Sequence, residues 1–231
     1  MREIVLDTET TGLDPEAGDR IVEIACLELF NRYPTGRVWH HYINPEREVP
    51  EAAFAVHGLS TAFLSDKPVF ASLAGDFLRF IEGATLVIHN AAFDLKFLNA
   101  ELARIGLPVI AEGQVVDTLD IARRKHPGAP NSLDALCRRY GIDNSARTKH
   151  GALLDTELLA EVYVNLVETQ QPGLDFARAT VSSALARDRA RAIATRPAPL
   201  PARLSPQEEA VHLAFVSSFK AQSLWFNKDG G

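Results

Sequence analysis

Residues 4–14 read IVLDTETTGLD, an apolar run that ends in acid. Ile4, Val5 and Leu6 predict a buried β-strand that continues through Asp7, Thr8 and Glu9. Side chains alternate across a strand, so Asp7 and Glu9 share one face. Two carboxylates side by side at the edge of a core repel each other and resist the loss of water. They need something to neutralise them.

Two more acids are out of place in the same way. The apolar strand ATLVIH (84–89) leads into NAAFDLKFLNAEL (90–102). Asn90 is the expected helix N-cap, which puts Asp94 in or just beyond the first turn. At helical spacing Asp94 shares a stripe with Phe97, Leu98 and Leu102, while Lys96 and Asn99 point elsewhere. In HGALLDTELLAEVYVNLVE (150–168) the polar face runs through Glu157, Glu161, Asn165 and Glu168. Asp155 aligns instead with Leu158, Leu159 and Val162, so it too faces inward. On one continuous helix His150 would lie roughly 140° away from Asp155. Gly151 is a natural break, and with His150 ahead of the helix the two side chains can converge.

A single inward acid is commonly a structural residue, bonded to a backbone amide or an arginine. Four such acids and a histidine, each at the edge of a core element, point instead to a cluster of hard ligands for Mg²⁺ or Mn²⁺. Zinc fits less well, because no Cys/His set stands at zinc spacing. His40, His41, His89, His126 and His212 have no such company and are read as structural or exposed.

The rest of the chain supplies the frame. EIVLDTE (3–9), RIVEIACLELF (20–30) and RVWHHYINP (37–45) predict three strands, with turns at Gly12, Asp14, Pro15 and Gly18 and again at Pro34 and Gly36. Helical patterns follow around 69–81 and from about Asn90. VVDTLDIARRK (115–125) reads as a short strand running into a helix, SLDALCRRYG (132–141) as a helix closed by Gly141, and 152–168 as a long helix. Three strands in succession, then strands alternating with helices, imply an α/β fold: a mixed sheet flanked by helices.

With 46% apolar and 23% charged residues among 231, the chain has the balance of a soluble globular protein. No apolar run approaches the roughly 20 residues that span a bilayer, and no signal-peptide pattern opens the chain, so a cytoplasmic protein is expected. Cys26 and Cys137 are read as reduced packing residues. Residues 1–176 carry a net charge of −10, residues 177–204 carry +5, and the last 27 carry −1. An acidic main domain argues against broad, unaided binding to duplex DNA, which relies on Lys and Arg at phosphates. A few phosphates could still be met through bound cations.

Beyond residue 176 the composition changes. Residues 177–204 are rich in Ala, Arg and Pro and read as a linker. Ser205, Pro206 and Glu208 then form a helix start with Pro at the first position. Val211, Ala214, Phe215 and Phe219 follow at helical spacing, and SLWF (223–226) comes soon after. A lone amphipathic helix with exposed aromatics cannot make a core, which favours packing on a partner; folding back onto the main domain is the other option.

These residues also carry a family resemblance. LDTETTG, IHNAAFD and HGALLD resemble the three motifs of the DEDD exonucleases in their histidine-containing branch. VHG (56–58) and RKHPGAPNSLDALCRRYGIDNSARTKHGALLD extend the likeness to the family of proofreading subunits of bacterial DNA polymerase III, over roughly residues 2–176 and more faintly over 205–226. The resemblance implies an RNase H-like fold and a 3′→5′ exonuclease that releases nucleoside 5′-monophosphates. It implies that Asp7, Glu9 and Asp155 bind two divalent cations, that Asp94 contributes directly or through water, and that His150 is the general base. Asp7, Glu9, Asp155 and His57 would meet the terminal nucleotide, with weaker expectations for Thr10 and Asn90. At the family's acid position five residues before His57 this chain has Ala52, with Glu51 shifted by one, which weakens any carboxylate contact to the sugar.

The resemblance divides the chain into an exonuclease domain (1–169), a clamp-binding peptide (170–176), the linker (177–204) and a polymerase-binding tail (205–231). QPGLDF (171–176) fits a sliding-clamp peptide with Gln171, Leu174 and Phe176 as its contacts. Phe215, Phe219, Trp225 and Phe226 would anchor the polymerase alpha subunit. The DNA 3′ terminus, single-stranded or frayed, is the expected substrate, and a small accessory subunit is a partner left open. Two alternatives share parts of the pattern. A free-standing exonuclease on RNA or oligonucleotide ends would share the motifs, and a structural subunit with a silent site would share the tail.

Overall fold

The computed structural model describes residues 1–147, 149–167 and 205–218. Its strands are β1 (Arg2–Thr10), β2 (Ile21–Phe30), β3 (Tyr33–Tyr42), β4 (Thr85–Ile88) and β5 (Val115–Asp117). Its helices are α1 (Glu51–His57), α2 (Thr61–Leu64), α3 (Phe70–Ile81), α4 (Ala91–Arg104), α5 (Thr118–Lys125), α6 (Leu133–Tyr140), α7 (Ala152–Val167) and α8 (Pro206–Ser217). One five-stranded sheet runs in the order β3-β2-β1-β4-β5. β1 pairs antiparallel with β2 and parallel with β4, so the expected mixed sheet is present, with β1 at its centre.

The parity of β1 decides what each face packs against. Ile4 and Leu6 point into a core with Phe77 of α3 and Phe97, Leu98 and Leu102 of α4. Val5 points the other way, into a core with Leu29, Val87 and, from α7, Leu159 and Tyr163. Burying each of these large apolar side chains is worth about 1.5–3 kcal/mol, so the two faces clamp β1 between helical layers. Asp7 and Glu9 continue the Val5 row and run off the end of that core beside α7. Thr8 continues the Ile4 row toward α4.

Three details differ from the sequence reading. Pro34 and Gly36 lie inside β3 rather than in a turn. The β2–β3 reversal is made at Asn31 and Arg32, both at positive φ (50° and 70°), with a register shift between Leu27 and Leu29. Two consecutive positive-φ residues match the twist of a tight hairpin, and β3 is an edge strand, where proline breaks no interior ladder. Helices α1 and α2 escape the periodicity because α1 leaves Phe54 and Val56 exposed and α2 is only four residues long, so neither shows a buried stripe.

Asn90 precedes α4 as expected but does not cap it with its side chain. It adopts the left-handed conformation (φ 67°, ψ 53°). The Asp117 carboxylate accepts the Asn90 and Ala91 N–H groups at 3.1 and 3.0 Å, and also the Leu119 N–H at 2.8 Å. One acid from β5 thus satisfies the orphan amides of two helices, α4 and α5.

Residues 205–218 belong to a second unit of the chain. The Ser205–Glu208 capping box is complete, with each side chain bonded to the other's backbone N–H. Val211, Leu213 and Phe215 of α8 are exposed, Phe215 to 62%. Among the described residues no helix is long and apolar enough to cross a membrane, and Cys26 and Cys137 are buried and unpaired as thiols. Residues 168–204 and 219–231, which include Gln171, Leu174, Phe176, the linker, Phe219, Trp225 and Phe226, lie outside the described residues.

Candidate active site

The out-of-place acids meet at one end of the sheet. Asp7 and Glu9 come from the end of β1, Asp94 from the first turn of α4, and Asp155 from the first turn of α7. Asp94 and Asp155 are each only 3% exposed. Asp94 is locked to β1: its Oδ1 accepts the Thr8 N–H at 3.1 Å and the Thr8 hydroxyl at 2.7 Å. His150 does precede α7, with Gly151 as the break, and its side chain is exposed. One ligand atom each from Glu9, His150 and Asp155 lie within 4.8 Å of one another.

Carboxyl groups crowd this end of the sheet. Burial holds the Asp7 carboxyl well above the usual carboxylate range, and Asp94, Glu9 and Asp155 push it further. Glu9 is raised to about 8 by burial first and then by Asp155, Glu23 and Asp94. Asp94 is raised to about 7 by burial, against the lowering effect of its two bonds from Thr8. A set of oxygen ligands that cannot all ionise on their own fits divalent cations, whose charge would favour the ionised forms.

Four residues of the neighbourhood escaped the sequence reading. Glu23 of β2 stands opposite Glu9 in register, is buried, and accepts the Ala152 N–H at 3.2 Å, holding the start of α7 to the sheet. His40 of β3, read as a residue without company, bonds Glu23 through Nε2 at 2.7 Å. Arg147 places its guanidinium on Asp155, with Nε to Oδ1 at 2.5 Å and Nη2 to Oδ2 at 2.7 Å. Asp134 of α6 takes the remaining arm of Arg147 at 3.0 Å. No periodicity marks these four, because each matters through a neighbour far along the chain or across a loop.

The residues expected around the nucleotide are less uniform. His57, at the C-terminus of α1, is buried; its Nδ1 accepts the Leu59 N–H at 3.0 Å, and its Nε2 has no hydrogen-bond partner among the described residues. Burial lowers its pKa, and because Nδ1 accepts a hydrogen bond the neutral ring carries its proton on Nε2. The Thr10 hydroxyl is used locally, donating to Gly12 O at 2.7 Å. Helix α1 also braces the His150 segment, since the His150 N–H donates to Val56 O at 3.2 Å and the Lys149 ammonium lies 4.9 Å from the Phe54 ring centre. Gly58 caps α1 at φ 76°, where a Cβ would stand 2.9 Å from Lys149 Cδ.

A cleft of about 1030 Å³ opens over the acids. Asp7, Glu9, Asp94, His150 and Asp155 line it, and so does Asn90. Leu13 and Phe93 give it apolar walls, and Arg123 adds a cation. Apolar walls and a positive group at Arg123 beside an acidic floor suit a nucleotide with a base to cover and a phosphate to hold.

A model of the exonuclease family RNase_T matches residues 4–163, so fold and site together define a nuclease of that class. The nuclease domain of 3′hExo, a DEDDh family member solved with rAMP, has a TM-score of 0.63 at 18% identity, covering 71% of this chain and 90% of that one. This likeness bears out the RNase H-like architecture. The chain is 55% identical over 174 residues to the DNA polymerase III subunit epsilon of Rickettsia prowazekii (strain Madrid E), covering 74% of this chain and 76% of the relative. It is 49% identical over 176 residues to the same subunit of Escherichia coli (strain K12), covering 73% and 72%. The chain belongs to the exonuclease family of DNA polymerase III epsilon subunits. DEDDh exonucleases are divalent-metal dependent, in keeping with the charge at this site.

Proposed function

We propose that this chain is the proofreading exonuclease of a replicative DNA polymerase, removing mispaired 3′-terminal nucleotides as nucleoside 5′-monophosphates. The observation that carries the reading is the convergence of Glu9, His150 and Asp155 within 4.8 Å, beside Asp7 and Asp94, from three distant parts of the chain. Asp7, Glu9 and Asp155 would hold two divalent cations, Mg²⁺ or Mn²⁺, with Asp94 contributing directly or through water. Bound there, the cations supply positive charge for the attacking and leaving oxygens of an in-line displacement.

The chain's own groups do the rest. His150, exposed at the cleft and just ahead of α7, is the group that accepts the proton of the attacking water. Asp94, fixed by two bonds from Thr8, keeps the end of β1 and the start of α4 in one geometry. Leu13 and Phe93 cover the terminal base; His57 is buried and does not line the cleft, so a contact from its Nε2–H to the nucleotide requires α1 to shift. The Thr10 hydroxyl is engaged with Gly12 and Thr10 does not line the cleft, so no substrate contact is assigned to it.

The acidic main domain is suited to being delivered to DNA by a partner rather than gripping duplex by itself. The exposed apolar residues of α8 support a tail that docks on the polymerase alpha subunit, with Phe215, Phe219, Trp225 and Phe226 as anchors. Residues 171–176 serve as the sliding-clamp peptide, and 177–204 as the linker between the two attachments. The setting is the cytoplasmic replisome. The decisive experiment supplies a labelled primer with a mismatched 3′ end and Mg²⁺ to the purified chain, with and without the polymerase subunit. Release of the terminal nucleotide, lost in Asp7→Ala, is expected; an inactive wild-type chain, alone and assembled, refutes the reading.

A further inference from the structure

Arg147 is 8% exposed and spends its whole guanidinium on the site. Nε and Nη2 form a fork onto both oxygens of Asp155. Nη1 reaches Asp134 Oδ1 at 3.0 Å, and that same oxygen is held by Asn144 Nδ2 at 3.0 Å. Nη2 also faces His150 Nδ1 at 2.9 Å. A guanidinium can only donate, so Nδ1 is the acceptor and its lone pair is taken. The two groups that the proposed mechanism needs, a carboxylate for a cation and an imidazole for a proton, are therefore engaged by one arginine.

Charge and geometry make this more than a brace. Asp155 is the acid of the site that carries a full positive charge in bidentate contact, while Glu9 and Asp7 lean on carboxylates. A divalent ion approaching Asp155 meets that fixed charge and must share or displace it. Asp134, half-exposed, provides a second acceptor on which the guanidinium stays tethered once it leaves Asp155.

We propose that Arg147 is a tethered counter-ion that competes with the divalent cation for Asp155, and that cation loading moves the guanidinium off Asp155 and off His150 Nδ1. The proposal rests on Asp155 being a cation ligand. Arg147 is thus a positioning residue: it holds Asp155 and His150 together until the cation takes over. A brace and a competitor predict opposite signs. Loss of a brace weakens cation binding, whereas loss of a competitor strengthens it.

The test is a direct Mn²⁺ titration of the chelator-stripped full-length chain, with free Mn²⁺ followed by electron paramagnetic resonance. Arg147→Gln should bind Mn²⁺ on the order of tenfold more tightly than wild type, the worth of a charged hydrogen-bonded contact. Arg147→Lys should fall between them, because an ammonium makes a point contact and no fork. Circular dichroism without cation checks folding, and if Arg147→Gln does not fold, Arg147→Lys decides alone. Equal or weaker binding by the folded variants overturns the proposal and leaves Arg147 a brace. Asp155→Asn is measured alongside: unchanged Mn²⁺ affinity there shows that Asp155 is no ligand, so the reading of the site fails, and the competition with it.

Discussion

Buried acids occur at both ends of this sheet, and they are of two kinds. Glu28 of β2 is gripped by Arg2 at 2.5 Å and Arg37 at 2.9 Å, and these partners hold its carboxyl below the usual range. Glu101 of α4 is paired in the same way, by Arg20 at 2.6 Å and Arg104 at 3.3 Å, although Arg20 lies beside Thr11 at the far end of β1. Glu3 accepts the Tyr163 hydroxyl at 2.7 Å. At the other end of β1, Asp7 and Glu9 face Asp94, Asp155 and Glu23, and both are pushed upward. A buried acid with its own partner belongs to the scaffold. A set of buried acids that raise one another marks where an external charge belongs. Arg147 on Asp155 is the exception, a scaffold-type pairing placed inside the site.

The comparison breaks most visibly in activity. Asp7→Ala should lower metal-dependent nucleotide release by roughly a thousandfold or more, as loss of a group essential to the chemistry does. Its melting temperature without divalent cation should hold or rise, since a repelling acid is gone. A variant that melts well below wild type would place Asp7 with the scaffold acids. The converse change is Arg20→Ala, which leaves Glu101 buried with weaker support. Stability should fall by about 2–3 kcal/mol, with per-enzyme activity at low temperature kept, as chemical denaturation and the primer assay would show.

Cation binding should affect the two ends unequally. Saturating Mg²⁺ at about a hundredfold excess over its dissociation constant should stabilise wild type by about 2.7 kcal/mol, a shift of several degrees. The shift should shrink in Glu9→Gln and persist in Glu28→Gln. An equal shift in both variants would place the cation elsewhere.

The smallest effect is the pH dependence of the chelated protein. Glu9 rises from 4.5 to about 8, and Asp94 from 3.8 to about 7. In each case the unfolded chain loses its proton first, so the folded state binds more protons across that interval. Stability in chelator should therefore be highest below about pH 4 on account of these groups, fall as pH rises toward 8, and then level off. Denaturant midpoints measured from pH 5 to 8.5 with and without Mg²⁺ check it. A midpoint that rises over this range without cation would contradict the assigned crowding of acids.

Much of this was legible in the chain. The β1 run gave away its own alternation, so Asp7 and Glu9 could be placed on one face from residues 4–9. Asp94 and Asp155 showed as acids on apolar stripes, because a helix of known period leaves no other place for them. The Ser205 capping box was readable for the same reason: its partners are three residues apart. Helix α1 was not, since Phe54 and Val56 face solvent and its purpose is to carry His57 and to brace residues 149–150. The Asn90 cap failed because Asp117, 26 and 27 residues away, reaches the amides first.

Local pattern by itself therefore determined the strands, most helices and the four carboxylates, because period and hydrophobic burial act over a few residues. Tertiary structure alone decided that Glu23 opposes Glu9 and anchors α7, that His40 completes that contact, and that Arg147 lies across Asp155 and His150. Those facts depend on charges brought together from distant segments and around a loop. Coulomb interaction and desolvation act through space, so their outcome is set only when the sheet and its helices have closed around the site.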